Sequence, residues 1–417
     1  MAQSPPRRCP AIQEGFFIDG LGRCFSVRDV LLSRLRDILS LSPHGPTDIW
    51  PTSKAYFEHF ATRKPLREGL RYSEWASACE NARKPAKAFH KKHPFFDPES
   101  PYLRGQYPDT FVISIPEGRI AGGKGAVITH DLKLLGDVSI DWSASPRDAR
   151  RHPLLTKKKL PKAQRLPGIS TVLATSESAG FFHWMTDALP RLEILRRASA
   201  TGWDTIDHFL IGEGCHAIRE SLRLLGIKES KLVVTRRDSH FVCDLLVVPS
   251  FHGAPGNMPP WAIEFLREQF LGSSSLPKSR RRIYVSRANA SGRKIANEEE
   301  ILPILTSRGF VCSELEEMSL SAQIELFSKA EAVVPPHGAG LTNLVWCAPH
   351  TKVLEIFSPL YVNFCYWAIA SVTQADYYYL LGNAEGVVND VYDARYFLED
   401  ILVDPIALQK TLSDMTL

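Results

Sequence analysis

From residue 170 to residue 381 the chain alternates, twice over, between short apolar runs and longer segments with helical periodicity. STVLAT (170–175), HFLI (208–211), LVVT (232–235) and LLVVP (245–249) read as strands. Between them lie a helical pattern at 180–199, AIRESLRLLG (217–226) closed by Gly226, and PPWAIEFLREQFL (259–271). In the first of these, Phe182, Met185, Leu189, Leu192 and Leu195 make one apolar stripe. After a linker, GSSSLPKSR (272–280), a second set begins. Its strands are RIYVS (282–286), AVV (332–334), KVLEIF (352–357) and DYYYLL (376–381), with helices at 297–309 and around Leu320, Ile324 and Phe327. Asn297 and Glu300 are spaced as a capping box, Gly309 closes that helix, and Pro303 moves its expected start a few residues later. Such alternation selects parallel sheets with helices on both faces. The expectation is an α/β protein with two doubly wound, Rossmann-like domains facing a cleft, with ligands at the carboxyl ends of the strands.

The remaining chain is less regular. Residues 1–105 are rich in Pro, Arg and Lys, with helical patterns at 27–41 and 52–62, and form an N-terminal extension for acceptor binding or oligomerisation. TFVISI and GAVITH open a first domain, 106–272, as short strands. The second domain spans 280–385, and a tail, 386–417, is expected to pack back on the first. The basic segments 83–92 and 147–165 read as solvated loops; they lack the aromatic interleaving and the module of a nucleic-acid binder. Attraction to an anionic membrane surface is the alternative reading of both.

With 44% hydrophobic and 23% charged residues the chain can bury large cores, and a net charge of +4 neither demands nor excludes a polyanionic partner. Eight scattered cysteines without a CxxC read as reduced thiols, not as a disulfide framework or a metal site. The start, MAQSPPRRCPAIQEG, has no apolar signal region, and no run is apolar enough to span a bilayer. A cytoplasmic location follows as an expectation.

PPHGAGLTNLVWCAP (335–349) places an imidazole and two glycines where a strand hands over to a helix. Glycines let the backbone approach a ligand, and the first amides of a helix favour an anion. His337, Gly338, Ala339 and Gly340 therefore read either as a phosphate cradle with an imidazole donor or as a tight turn with a capped histidine. YVSRANASGRK brings Arg287, Arg293 and Lys294 to the end of another strand of the same domain. Guanidinium groups are preferred phosphate partners, although a solvated loop also carries such residues. Glu355 ends a nearby strand and reads as a ribose-binding carboxylate or a surface acid. Together the three pieces suggest a nucleoside diphosphate.

YVSRANASGRKIANEEEILPILTSRGF, the Gln323-containing helix, PPHGAGLTNLVWCAPHTKVLEIF and FFHWMTDALPRLEIL (181–195) in this order resemble glycosyltransferase family 61, over roughly residues 110–385. Bacterial members are often labelled capsular polysaccharide biosynthesis proteins. The resemblance implies a GT-B fold and inverting, metal-independent transfer from a nucleotide sugar, expected to be a UDP-sugar, with no cofactor. It implies a glycan or lipid-linked glycan acceptor, in surface polysaccharide or capsule synthesis. By motif position it puts Arg287, Arg293, His337, Gly338, Gly340 and Asn343, with Glu355, near the donor.

His183 and Asp187 are four residues apart and share a helix face. Displacement at an anomeric carbon needs a base for the acceptor hydroxyl, and the family pattern has His and Asp at these positions. His183 is the expected base and Asp187 its partner, with the roles exchangeable. The competing reading leaves His183 bonded to backbone and Asp187 answering Arg191. No third metal ligand accompanies the pair, and no Asp-x-Asp occurs in the chain.

Two other enzyme classes have partial sequence signatures to compare. Gly212, Gly214 and Ala217 form a GxGxxA after HFLI, with Asp238 some twenty residues on, which formally meets the fingerprint of a NAD-dependent oxidoreductase. That strand is not the first of its half, which counts against it. A serine hydrolase lacks its G-x-S-x-G.

Overall fold

The computed structural model describes residues 16–18, 24–26, 44–63, 69–89, 91–141, 149–198, 202–272, 280–383 and 398–417. The helix expected at 27–41 lies outside them. The helix expected at 52–62 is present as Ser53–Phe60, with the Thr52 side chain accepting from the Ala55 amide.

The larger sheet has ten strands. At its heart Leu232–Thr235, His208–Gly212, Gln164–Val172 and His240–Pro249 lie side by side in that order, all parallel. The expectation of a purely parallel sheet fails on the far side, where Thr110–Pro116 and Arg119–Ala121 run antiparallel to His240–Pro249. No helix separates the short strands of this region. Tight turns join Arg119–Ala121, Ala126–Ile128 and Lys133–Leu135 in succession, and a tight turn joins antiparallel neighbours.

The second sheet is parallel throughout. Its order is Phe310–Ser313, Arg281–Val285, Ala330–Val334, Lys352–Phe357, Asp376–Leu381. Numbered along the chain this is 2-1-3-4-5, so the order reverses between Arg281–Val285 and Ala330–Val334. A crevice opens at such a reversal because the flanking crossovers leave in opposite directions.

The apolar stripe of the 180–199 pattern is buried as expected, with Phe182, Met185, Leu189, Leu192 and Leu195 all in the core. The helix is not continuous. Phe181–His183 is α-helical, Trp184–Ala188 widens into a π turn with the Leu189 amide on the Trp184 carbonyl, and Arg191–Ala198 resumes the α-helix. Pro190 is the cause: it has no amide to donate, and its ring crowds the carbonyl four residues back.

Three other expectations need correction. The tail packs on the second sheet, not the first: Ile401, Val403, Leu408, Leu412 and Met415 join the cluster around Tyr284 and Ile301. Asn297 and Glu300 pair side chain to side chain (Nδ2 to Oε2, 3.2 Å) and not as a capping box, because the Asn297 side chain also takes both backbone groups of Val403 in that tail; the helix starts at Glu298 with Pro303 inside it. Residues 83–89 are not a solvated loop, although Lys91 and Lys92 are exposed. Lys87 exchanges backbone hydrogen bonds with Tyr377 and Tyr379 beside the sheet edge, and buried Arg83 lies 4.8 Å over the Phe364 ring. Arg71–Ala76, in turn, pairs with Thr110–Pro116 of the first sheet. The described part of the N-terminal extension thus touches both sheets. Among the described residues no helix is long and apolar enough to cross a membrane.

Candidate active site

A cavity of about 240 Å³ lies at the reversal point of the second sheet. Val285, Ser286 and Arg287 line it from one strand end, and Pro335, Pro336, Gly338, Ala339 and Gly340 from the next. Phe181, Cys215 and His216 close it from the first sheet. The two loops singled out in the sequence therefore meet in one place.

The loop after Arg281–Val285 is braced from within. Glu298 accepts from the Tyr284 and Ser286 hydroxyls (2.6 and 2.8 Å), and Arg287 Nη2 donates to the Gly292 carbonyl at 2.8 Å. Arg293 has a left-handed backbone (φ 54°), a conformation that costs a side-chain-bearing residue about 1–2 kcal/mol. Its Nε donates to the His337 carbonyl at 3.1 Å. The Arg287 guanidinium lies against the Gly338 backbone, where a Cβ would stand 2.2 Å from Nη1. Arg287 Nε is buried without a partner. Burial lowers the Arg287 pKa, and the charge of Arg293 lowers it further. Two cations held together at a backbone turn, one of them under-satisfied, make an electrostatic site for an anion. Lys294 is tied through its amide to Asp400 at 2.9 Å.

His337 and Glu355 are brought together, but not as a cradle wall. His337 is 4% exposed and Glu355 wholly buried. His337 Nδ1 meets Glu355 Oε1, and the Tyr377 hydroxyl donates to Oε2. Burial pushes the Glu355 pKa well up; it pulls that of His337 well down, aided by Arg293 and Arg287. Both shifts favour the uncharged forms, in which the Glu355 carboxyl donates to His337 Nδ1. The expectation that Glu355 faces a ribose is overturned, since both its oxygens are engaged inside the core.

Asn343 is also internal. It is fully buried, donates to Gln323 Oε1 (2.7 Å) and the Gly340 carbonyl (3.0 Å), and accepts from Trp346 Nε1 (3.0 Å). It holds the eight-residue 3₁₀ helix Ala339–Trp346 in place behind the turn. Among the described residues lining the cavity, Glu316 is the one carboxylate, and the sequence reading did not single it out.

On the first-sheet side, His183 Nδ1 and Asp187 Oδ2 are 2.6 Å apart, and Thr186 Oγ1 donates to Asp187 Oδ1 at 3.1 Å. Burial opposes the charged imidazole, but the hydrogen bond and charge of Asp187, with Glu177, outweigh it and raise the His183 pKa above 6.5. Arg191 does not answer Asp187. The π turn rotates it inward, where it is 1% exposed, donates to the Pro249 carbonyl (2.7 Å) and lies 5.0 Å over the Phe251 ring. Burial alone drives its pKa down to about 9. Asp187 and Arg191 also act on His252, a buried imidazole that packs on Trp261. His252, in the loop after His240–Pro249, carried no local sequence signal. Among the described residues no three of His, Cys, Asp or Glu are grouped as metal ligands.

The GxGxxA segment is packed, not open. A Cβ on Gly214 would stand 2.6 Å from Ala179 Cα, and the His216 ring contacts the Met318 carbonyl at 3.1 Å across the cleft. These glycines admit the 175–180 loop, and the oxidoreductase reading is not favoured.

Parallel-stranded loops that set paired arginines at one strand reversal are consistent with the fold of an α/β glycosyltransferase. Comparison with known sequences points the same way: residues 181–354 match the family model Glycosyltransferase 61. A stretch of 122 residues is 30% identical to Beta-1,2-xylosyltransferase RCN11 of Oryza sativa subsp. japonica, covering 25% of this chain and 23% of that protein. The match thus spans about a quarter of the relative's length.

Proposed function

We propose that the chain is an inverting GT-B glycosyltransferase that moves a sugar from a nucleotide donor to a hydroxyl of a glycan. The carrying observation is the convergence of Arg287 and Arg293 on the His337–Gly338 backbone, in a cavity whose opposite wall includes Phe181, two residues before His183. In this reading Arg287, Arg293 and the first amides of the Ala339–Trp346 helix hold the pyrophosphate. Fixed cations then offset the charge that develops on the leaving diphosphate, in place of a metal ion.

His183 supplies the base. Asp187 accepts the Nδ1 proton, so the lone pair on Nε2 takes the proton of the acceptor hydroxyl. The hydroxyl oxygen bonds the anomeric carbon as the bond to the diphosphate breaks, which inverts that centre. Asp187 then steadies the imidazolium.

The name of the rice relative favours a pentose such as xylose on UDP, with hexoses the alternative. The acceptor is a glycan or lipid-linked glycan in surface polysaccharide synthesis. The site works at the cytoplasmic membrane face, drawn there by basic residues such as Lys157, Lys158 and Lys159, which are exposed. Residues 106–272 serve the acceptor and 280–385 the donor.

Release of free nucleotide from UDP-, GDP- and CMP-sugars, with and without EDTA, tests the proposal on wild type and Arg287→Ala. EDTA-resistant release from one nucleotide class, abolished by the substitution, is the expected result. Thermal stabilisation by NAD alone, unchanged in Arg287→Ala, would overturn it.

A further inference from the structure

With Glu355 withdrawn into the core, the cavity still contains a carboxylate. Glu316 lies three residues beyond Phe310–Ser313, the strand that pairs directly with Arg281–Val285. The Ser286 amide donates to the Ser313 carbonyl at 3.0 Å, so the segments carrying Arg287 and Glu316 leave adjacent strand ends side by side. Both side chains line the cavity, and the Glu316 charge acts on Arg287.

Glu317 does not line the cavity, and three other nearby carboxylates are already committed. Glu314 accepts from Asn289 Nδ2 at 2.8 Å, and Glu298 holds Tyr284 and Ser286. Glu220 caps the helix Leu320–Ser328 at the Leu320 and Ser321 amides (2.7 and 3.1 Å). Glu316 is exposed and has no such hydrogen bond among the described residues. The cavity's other charged side chain, Arg287, is the proposed diphosphate ligand. The remaining wall is largely apolar, formed by Phe181, Val285, Leu315, Pro335, Ala339 and Leu341.

We infer that Glu316 binds the ribose of the donor nucleotide, its two carboxylate oxygens accepting from the 2′- and 3′-hydroxyls. This rests on the donor reading above. A carboxylate is an acceptor-only group with two adjacent oxygens, and a cis-diol offers two adjacent donors. In dinucleotide-binding sheets the ribose is likewise held by an acid one strand away from the phosphate turn. The site therefore selects ribonucleotides over deoxyribonucleotides, with the apolar wall left to the base.

The test is isothermal titration of the full chain with UDP and GDP and with their 2′-deoxy counterparts. Wild type is expected to prefer the ribo form of the nucleotide it binds by about tenfold or more, the weight of a hydrogen bond to a charged acceptor. Glu316→Ala should weaken the ribo form and bring the two within about twofold. Glu314→Ala, two residues away and bonded to Asn289, should keep the preference. A preference that survives Glu316→Ala, or one absent from wild type, overturns the assignment. If Arg287→Ala abolishes binding while the ribo preference ignores Glu316, the donor reading stands and this inference falls. If neither diphosphate binds wild type, both fall.

Discussion

The guanidinium of Arg287 occupies the space that a side chain on Gly338 would fill. The glycine is not there for its backbone: its φ of 172° is extended and open to any residue. It is there because the arginine lies flat on the turn. A strand end from one side of the sheet reversal and a turn from the other are thus interlocked through one missing Cβ.

Gly338→Ala should therefore separate folding from ligand binding. The clash falls on the far end of a flexible side chain, which can swing away. Alanine also restricts the unfolded chain, worth up to about 1 kcal/mol in the opposite direction. Stability by chemical denaturation should change by about 1 kcal/mol or less, while nucleoside diphosphate affinity drops roughly tenfold or more as Arg287 is displaced. A variant that unfolds but binds normally when folded would refute the interlock.

The His183–Asp187 pair predicts a pH dependence. The base must be neutral, and its pKa is raised above 6.5 by Asp187 and Glu177 against burial. Transfer should fall as pH drops through that raised value. Asp187→Asn removes what favours the imidazolium, so burial dominates and the acid limb should move to lower pH. His183→Ala should lose about 10²–10⁴ in rate. The same shift makes the pair stabilising at low pH: its contribution is full below 6.5 and lost as pH rises through the folded pKa. An acid limb that stays put in Asp187→Asn would assign it to another group.

Glu355 offers a test of internal against ligand-facing roles. Its neutral hydrogen bond to His337 can be kept by an amide, so Glu355→Gln should cost about 1 kcal/mol or less and leave donor KM near wild type. Glu355→Ala leaves His337 and Tyr377 without their partner and opens a cavity, a loss of about 2–5 kcal/mol. Denaturation curves and KM measured side by side decide this. A large KM change in Glu355→Gln with intact stability would return the residue to the cleft.

The alternation of apolar runs placed four of the five strands of the second sheet, because parallel strands buried on both faces are continuous apolar segments; the edge strand Phe310–Ser313, half exposed, was missed. The Arg287 and Gly338 loops were legible for the same reason: strand ends locate them, and residue type gives the chemistry. Glu355 was misread because sequence gives a strand end but not which way the side chain faces; its alternate position points into the core beside Tyr377. Asn343 looked like part of a polar turn and is a buried strut for Trp346. Arg191 was read as a partner of Asp187 because a helical wheel assumes 3.6 residues per turn, and Pro190 breaks that phase; His252, in the loop after His240–Pro249, carries no local pattern. The N-terminal clasp through Lys87 could not be read locally, since it depends on an edge strand almost three hundred positions away.

Glu220 ties the two sheets together beside the cavity and gives the last prediction. Its carboxylate receives the Leu320 and Ser321 amides and the Ser321 hydroxyl, at the positive end of the helix that begins just after Glu316. Ser319 already caps that helix through the Ala322 amide, so its local structure does not depend on Glu220. What Glu220 adds is attachment across the cleft, next to the His216–Met318 contact. Glu220→Ala should cost about 0.5–2 kcal/mol, the range for losing a helix cap. Hydrogen exchange should speed up at 315–322 while the strand amides of both sheets stay protected. Because Glu316 sits in that loop and lines the cavity, nucleotide affinity should fall with it even though Glu220 lines no part of the cavity. Faster exchange throughout the Leu320–Ser328 helix would instead make Glu220 a structural cap for the whole element and remove it from any role in holding the cleft together.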